Sequence, residues 1–328
     1  MMKIAIIGMG LIGTSIGMAL RTADERTSRL GSISVVGYDA NRQSTAQARG
    51  RLAIDREMGS LADAARDAAL LILAVPVQEI PEVLRSLATL ASPGAVITDV
   101  SSTKAQVLAW AQELLPDSLQ FVGGHPMAGR ERSGPDAADP RIFQDAIYCV
   151  CPSPSVRQEG LDAVEALVAT LGAKLYYIDP VEHDTYVGGV SHLPFLLSSA
   201  LMELVSRSPG WREMAPLAAT GFRDMTRLAS GSATMHRDIL ATNRAAMIHW
   251  INETARFLFE VREQLEDGRD ADLLAMFEHA RDVREEWLTM RPNMRPGEGE
   301  FENISGVTPE RPNMFGRWGR PSQDRGKR

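Results

Sequence analysis

The pattern of hydrophobic and polar positions divides the chain into two parts of different character. In the first part, short runs of β-branched and other apolar residues alternate with helical patterns, which predicts a parallel sheet covered on both faces. The predicted strands cover residues 3–8, 33–38, 70–74, 95–99 and 120–123, with 147–151 and 174–178 as candidates to extend the same sheet. The predicted helices between them cover about 11–22, 42–49, 77–90, 103–114 and 156–171.

The second part starts at Asp179-Pro180, and no convincing strand pattern follows up to residue 288. The segment 192–205 is apolar on nearly every face, which predicts a helix buried from several sides. Long helical patterns follow at 234–264 and 271–288. We therefore predict an α/β domain at 1–179, an all-helical domain at 180–290 that forms a homodimer, and a disordered tail at 291–328.

Composition narrows the class of protein. The net charge of −7 over 328 residues argues against a nucleic-acid partner, because phosphate binding needs basic surface. The two cysteines, Cys149 and Cys151, lie on an apolar run and are interpreted as two strand residues on one face rather than a redox or metal pair. The chain starts on a strand pattern without a signal peptide, and no uninterrupted apolar stretch is long enough to span a membrane, so we expect a cytoplasmic protein. No group of residues has metal-ligand spacing, and no metal site is predicted.

A glycine motif between the first predicted strand and helix points to a ligand. Gly8, Gly10 and Gly13 form G-x-G-x-x-G, with Leu11 and Ile12 opening the helix. Gly8 permits the tight turn, Gly10 lets a pyrophosphate approach the backbone, and Gly13 lets the helix pack on the strand. The free N–H groups of the helix N-terminus favour phosphate. We predict a Rossmann-type doubly wound sheet binding a dinucleotide, the alternative being a glycine-rich turn without a ligand.

The end of the second predicted strand indicates which dinucleotide binds. Asp39 stands there, where a carboxylate accepts hydrogen bonds from ribose hydroxyls and repels a 2′-phosphate. This favours NAD over NADP, although Arg42 three residues later softens the choice. The alternative is that Asp39 only caps the following helix.

Two further strand ends carry candidate site residues, since open α/β sheets bind ligands at the carboxyl edge. Val75-Pro76 follows one strand and is predicted to line the nicotinamide half, or to be a simple strand-end turn. Ser101 and Ser102 follow another strand. We predict that Ser101 contacts the cofactor and Ser102 the substrate, the alternative being that one of them is the N-cap of the next helix.

The candidate base is His125, in the segment Gly-Gly-His-Pro-Met-Ala-Gly directly after a predicted strand. A histidine titrates near neutral pH and accepts a proton from an alcohol when a hydride acceptor lies nearby. In the helical part, His192 begins the apolar helix. Arg223 and Arg227 stand four apart, on one face of a predicted helix, where they suit a dicarboxylate ligand or an exposed ion-pair face.

These motifs, in this order and spacing, resemble the prephenate dehydrogenase family, which includes arogenate and cyclohexadienyl dehydrogenases. The resemblance runs from about residue 3 to residue 288. It implies a Rossmann domain joined to a helical dimerisation domain. The implied reaction is NAD-dependent oxidative decarboxylation of prephenate to 4-hydroxyphenylpyruvate, a step of tyrosine biosynthesis. The motifs that carry the resemblance are 8–13, 99–104, 123–129 with Glu131 and Ser133-Gly134, 190–194, 222–227 and 235–238.

The resemblance also implies roles for individual residues. His125 would accept the proton of the C4 hydroxyl and Ser102 would hydrogen-bond that hydroxyl or the histidine. Substrate binding would fall to Arg227 for a carboxylate, Arg223 beside it, His192 in the pocket and Glu131 at its mouth. The chain departs from the family at His236, where relatives often carry tryptophan, which puts substrate choice and product inhibition in doubt.

Three rival functions stand beside this one, and the sequence argues against the second and the third. The same chemistry on arogenate or on 4-amino-4-deoxyprephenate is not separable by sequence. The β-hydroxyacid dehydrogenases need a catalytic lysine in the helical half, and here no lysine occurs between Lys174 and Lys327. A catalytically inactive dinucleotide-sensing protein would be expected to have lost His125, Ser102 or Arg227, and all three are present.

Overall fold

The fold is built on one eight-stranded sheet. The computed structural model describes residues 1–23, 29–129 and 132–290. The strand order is β3-β2-β1-β4-β5-β6-β7-β8, and every neighbouring pair is parallel except β6 and β7. The strands are β1 (Met2–Ile7), β2 (Ile33–Tyr38), β3 (Arg56–Glu57), β4 (Leu70–Leu73), β5 (Val96–Asp99), β6 (Gln120–Pro126), β7 (Ile147–Pro152) and β8 (Lys174–Tyr177).

Helices connect the strands, and after β8 the described part of the chain contains helices and no further strand. A π-helical turn, Gly188–His192, joins α7 to α8. The helices are α1 (Leu11–Thr22), α2 (Arg42–Gly50), α3 (Leu61–Ala65), α4 (Ile80–Leu90), α5 (Ala105–Leu114), α6 (Gln158–Thr170), α7 (Pro180–Val187), α8 (Leu193–Ser206), α9 (Trp211–Met214), α10 (Thr220–Met225), α11 (Ala233–Thr242), α12 (Arg244–Glu266) and α13 (Asp270–Met290).

The sheet is apolar on both faces because helices cover both. All four residues of β4 are buried, which explains its continuous apolar sequence. Alternate side chains of the central strands feed two separate core clusters, one containing Ile4 and Ile72 and the other containing Ala5 and Leu71. The doubly wound Rossmann-type sheet predicted from the sequence is therefore confirmed.

The structure corrects the predicted end of β6. The sequence placed His125 in a turn after this strand, but β6 continues to Pro126 and pairs antiparallel with β7, with His125 opposite Cys149. The two cysteines are buried, unpaired strand residues. Burial raises the pKa of the Cys149 thiol to about 11, which disfavours thiolate chemistry.

The helical part also departs from expectation. The predicted helix 234–264 is two helices, α11 and α12, separated at Asn243. Helix α8 is not buried from several sides within one chain: only Phe195 and Ser198 are buried, and Leu204 is 73% exposed. This apolar exposed face is what a dimerisation surface requires.

By length and composition alone the run Pro180–Ser206 could cross a membrane, although Glu182, His183 and Asp184 interrupt its apolar residues. The run buries His183, Asp184 and His192, and each of them contacts polar groups of other segments. These contacts tie the first half of the run, up to His192, to polar groups of the protein itself.

By contact density the chain forms two compact units, 1–275 and 276–328. The first unit contains the whole sheet and helices α1 to α12. The predicted boundary near Asp179 stays a prediction, and the predicted tail at 291–328 lies outside the described residues.

Candidate active site

The centre of the site is His125, near the end of β6. The ring is buried, with 8% of the residue exposed, and Nδ1 lies 2.9 Å from Nε2 of His183 on α7. Burial, followed by the neighbouring His183, Lys104 and His192, holds the pKa of His125 well below its ordinary value of 6.5. A neutral imidazole at neutral pH is the form that accepts a proton.

His183 connects this ring to a carboxylate. Its Nδ1 lies 2.8 Å from Oδ1 of Asp184, the next residue of α7. The same carboxylate accepts the backbone N–H groups of Lys104 at 2.7 Å and Ala105 at 2.9 Å, at the start of α5. The first turn of α5 thus fixes Asp184, and through it the two rings.

A buried ion pair fixes the backbone just before the candidate base. Lys104 and Asp99 are fully buried and bonded to each other. The Lys104 ammonium also donates to the carbonyl of Gly124 at 2.8 Å, and Asp99 accepts the N–H of Gly124 at 3.1 Å. The pair therefore ties the end of β5 to β6 at the residue directly before His125.

A second buried histidine lies across the site. His192 is 1% exposed, and burial lowers its pKa to about 4. Its Nδ1 lies 3.1 Å from the amide nitrogen of Asn243. The nearby Asp184 carboxylate, and to a smaller extent the backbone of Ser102, raise the pKa of this ring against the effect of burial, and within the described residues Nε2 makes no hydrogen bond. The loop after β5 and the helical part therefore meet at His192.

The two strand-end serines have different surroundings. Ser101 accepts from Lys104 at 3.1 Å, and its N–H donates to Asp99 at 3.0 Å, so it belongs to the buried ion pair. Among the described residues, the Ser102 hydroxyl makes no hydrogen bond. Its predicted interaction with His125 stays a prediction.

The glycine motif has the shape a dinucleotide needs. Gly8 has φ +99°, and a Cβ at Gly13 would lie 2.0 Å from the Gly8 carbonyl oxygen, so both positions require glycine. A Cβ at Gly10 would meet nothing within 4 Å, and this open space lies at the N-terminus of α1, with Leu11 and Ile12 in its first turn. The residues present thus fit a pyrophosphate.

Asp39 holds the end of β2 beside this turn. Its carboxylate accepts the N–H of Met9 at 2.7 Å and of Asn41 at 2.8 Å. The N-cap of α2 is Asn41, which accepts from Gln43, so the alternative that Asp39 caps this helix is wrong. Asp39 is only half-buried and keeps acceptor capacity for a ribose hydroxyl. Arg42 is exposed, and Val75 and Pro76 lie at the carboxyl end of β4, as predicted.

The arginine pair corrects one prediction. Arg223 and Arg227 do not share a helical face, because α10 ends at Met225 and Arg227 opens a separate 3₁₀ turn. Arg223 is exposed and pairs with the neighbouring Asp224 at 3.3 Å. The turn that carries Arg227 is bound to α8 through the Ser198 hydroxyl, which accepts the N–H of Ala229 at 3.1 Å.

His236 lies in an aromatic stack beside the buried histidine. Its ring stacks on Phe195 with centroids 4.1 Å apart and planes 3° from parallel. Phe195 in turn lies 5.9 Å from the His192 ring. The position that departs from the family pattern is therefore linked to His192 by one ring. Glu131, the other predicted pocket residue, lies outside the described residues.

Sequence reasoning missed His183, Asp184 and Asn243. No sequence pattern singled out His183, and it is the direct partner of His125. The available signal was the Glu-His-Asp triplet at 182–184, because a histidine beside a carboxylate can have its ring protonation fixed. Nothing local indicates the pairing, since His183 and His125 lie 58 residues apart.

Two family models match the chain. Residues 25–177 match the nucleotide-binding domain of prephenate dehydrogenase, and residues 179–279 match its dimerization domain. The chain is 32% identical to prephenate dehydrogenase of Bacillus subtilis, over 86% of this chain and 75% of that protein. It is 34% identical to prephenate dehydrogenase of Lactococcus lactis, over 87% of this chain and 77% of that protein.

Solved structures show the same similarity. One is prephenate dehydrogenase from Aquifex aeolicus in complex with hydroxyphenyl propionate and NAD+, with a TM-score of 0.79, 26% identity and coverage of 87% of this chain and 98% of that one. Another is arogenate dehydrogenase from Synechocystis, with a TM-score of 0.73, 27% identity and coverage of 87% and 100%. The overlap includes both the sheet and the helical part.

Proposed function

Because this chain belongs to the prephenate dehydrogenase family, we propose that it catalyses the NAD-dependent oxidative decarboxylation of prephenate to 4-hydroxyphenylpyruvate in tyrosine biosynthesis. The family is one of dehydrogenases with a nicotinamide dinucleotide cofactor. The observation that carries the proposal is the neutral, buried His125 at the carboxyl edge of a sheet whose first turn fits a dinucleotide. A base and a hydride acceptor at one edge are what alcohol oxidation requires.

The proposed chemistry divides between cofactor and protein. A nicotinamide dinucleotide in the glycine cradle supplies the acceptor for the hydrogen removed from ring C4. His125 takes the proton of the C4 hydroxyl, with Ser102 beside it as a hydrogen-bonding partner. The ring carboxylate leaves as carbon dioxide, its bonding electrons complete the aromatic ring, and the proton held by His125 returns to the phenolate oxygen to give the phenol. Arg227 and Arg223 bind substrate carboxylates, and His192 lines the pocket, with His236 behind it and Glu131 at the mouth.

Cofactor choice and assembly complete the proposal. The half-buried Asp39 carboxylate favours NAD over NADP, because it accepts ribose hydroxyls and repels a 2′-phosphate. Leu11, Ile12, Val75, Pro76 and Ser101 are further proposed cofactor contacts. The exposed apolar faces of α8 and α12 support a homodimer, as does the match to a dimerization domain.

The test is a substrate and cofactor panel with the full-length protein. Prephenate, arogenate and 4-amino-4-deoxyprephenate are each assayed with NAD and NADP by the absorbance of the reduced nicotinamide. We expect the highest kcat/KM for prephenate with NAD. A higher value for arogenate would transfer the proposal to that substrate, which the similarity to the Synechocystis enzyme supports as the second candidate. Dinucleotide binding without turnover of any of the three would support a sensing protein instead.

A further inference from the structure

The two buried histidines of the site belong to one hydrogen-bond network centred on Asp184. We propose that Asp184 fixes which ring nitrogen carries the proton in both His125 and His192, and that it gives them opposite tautomers. It acts through the ring of His183 on the first and through the amide of Asn243 on the second, which makes both of these positioning residues. The kinetic part of this proposal rests on the proposed function.

The first arm of the network starts at the carboxylate. Both oxygens of Asp184 accept backbone N–H groups at the start of α5, from Lys104 at 2.7 Å and from Ala105 at 2.9 Å. An ionised carboxylate only accepts hydrogen bonds, so Nδ1 of His183, 2.8 Å from Oδ1, carries a proton. A neutral His183 then has its lone pair on Nε2.

That lone pair determines the tautomer of His125. Its Nδ1 lies 2.9 Å from Nε2 of His183 and must donate to it. The proton of His125 is therefore on Nδ1, and Nε2 is left with the lone pair that a base needs. Without an acceptor at this place, nothing in the strand selects between the two neutral tautomers.

The second arm starts at the backbone carbonyl of Asp184. The amide atom of Asn243 that lies 2.6 Å from this carbonyl oxygen must be the nitrogen, because a carbonyl only accepts. The same nitrogen lies 3.1 Å from Nδ1 of His192. Nδ1 is therefore the acceptor, and the proton of a neutral His192 is on Nε2.

The two rings thus present different chemistry. His125 offers an acceptor at Nε2, whereas His192 offers a donor at Nε2. A substrate carrying both a hydroxyl and a carboxylate needs one base for the proton and a donor for an oxygen. One aspartate that orders both rings makes this asymmetry independent of the substrate.

The direct test is long-range ¹H–¹⁵N NMR of the full-length protein labelled at its six histidines, with single-histidine variants for assignment. We expect the Nδ1–H form for His125 and His183 and the Nε2–H form for His192 at pH 7. His183 protonated on both nitrogens, or His125 in the Nε2–H form, would overturn the proposal. This readout requires no turnover, so it is independent of the substrate assignment.

Variants test the kinetic consequence. His183→Phe and Asp184→Asn should each lower kcat about 10- to 100-fold, less than complete loss of a base, with KM and NAD affinity little changed. His183→Phe removes the acceptor and should shift the His125 tautomer towards Nε2–H, whereas Asp184→Asn keeps an amide oxygen that still accepts from Nδ1 of His183 and should shift it less. Glu182→Gln is the matched control, since it makes the same carboxylate-to-amide change at an exposed position of α7. A lower kcat in His183→Phe with the His125 tautomer unchanged would show a merely structural role and refute the network. If the tautomers are as expected while the wild type oxidises none of the three substrates, the proposed function alone fails.

Discussion

Replacing His125 with asparagine tests the assignment of the base. The residue is 8% exposed in a strand, and an amide keeps a polar partner for His183 but accepts no proton at neutral pH. Because burial and its neighbours hold the pKa of His125 well below 6.5, nearly every wild-type molecule has the neutral base at pH 7. The variant therefore loses the full contribution of a positioned base, about 10²–10⁴-fold in kcat. This is about 3–5 kcal/mol of transition-state stabilisation.

The assay measures kcat/KM against pH for both proteins, with NAD affinity measured separately. In the wild type the base works when neutral, so activity falls as pH drops through the pKa of His125, and this decline lies below pH 6.5. The variant should lack the decline and bind NAD as the wild type does. His279→Asn, the same change at an exposed helical histidine, is the control. Near-full turnover of His125→Asn with normal NAD binding would refute the reasoning, as would a wild-type decline centred above pH 6.5.

Three further predictions concern the fold and the assembly. Gly13→Ala should lower Tm by several degrees, because its Cβ would lie 2.0 Å from a carbonyl oxygen. Gly10→Ala should leave Tm unchanged and weaken NAD binding, because its Cβ would point into open space. Equal losses of Tm in the two variants would contradict this prediction. In urea unfolding, the free energy of unfolding should decrease as the pH is lowered from about 6.5 to about 4. The reason is that histidines of the unfolded chain bind protons in this range, whereas the buried histidines of the folded protein do not. His192, with a pKa of about 4, contributes about 3 kcal/mol of this loss. A free energy of unfolding that stays constant over this pH range would contradict the lowered pKa of His192. Leu204→Glu on the exposed face of α8 should give monomers in sedimentation velocity, and an unchanged dimer would place the interface elsewhere.

The sheet was predictable because its central strands are short apolar runs between turn residues. Strand β4 shows this most clearly, since all four residues are apolar and buried. Strand β3 was missed because its two residues, Arg56 and Glu57, are exposed and polar and lie at the edge of the sheet. The end of β6 was missed because glycines and a proline are typical of turns, and only the pairing with β7 makes them strand residues.

The site was predictable where a residue follows a strand and unpredictable where it depends on distant pairing. The cofactor turn and His125 follow strand ends, whose positions come from local patterns. The partners of His125 are set by how α7 packs on the start of α5, through contacts between Asp184 and residues about 80 positions earlier. The helical face expected for the two arginines failed because α10 ends at Met225 and the chain continues as a separate 3₁₀ turn, Arg227–Ser230.

The extension of β6 through His125 has a consequence for how defects in this protein would be detected. A base in a strand is preorganised: the ordering entropy, roughly 1–2 kcal/mol for one backbone residue, is lost in folding and not when substrate binds. If substitutions in β7 loosen its pairing with β6, the backbone at His125 is less ordered in the free protein. Its conformational entropy is then lost during substrate binding and catalysis instead of during folding. They would lower kcat as well as the melting temperature, at positions that lie away from the proposed substrate contacts.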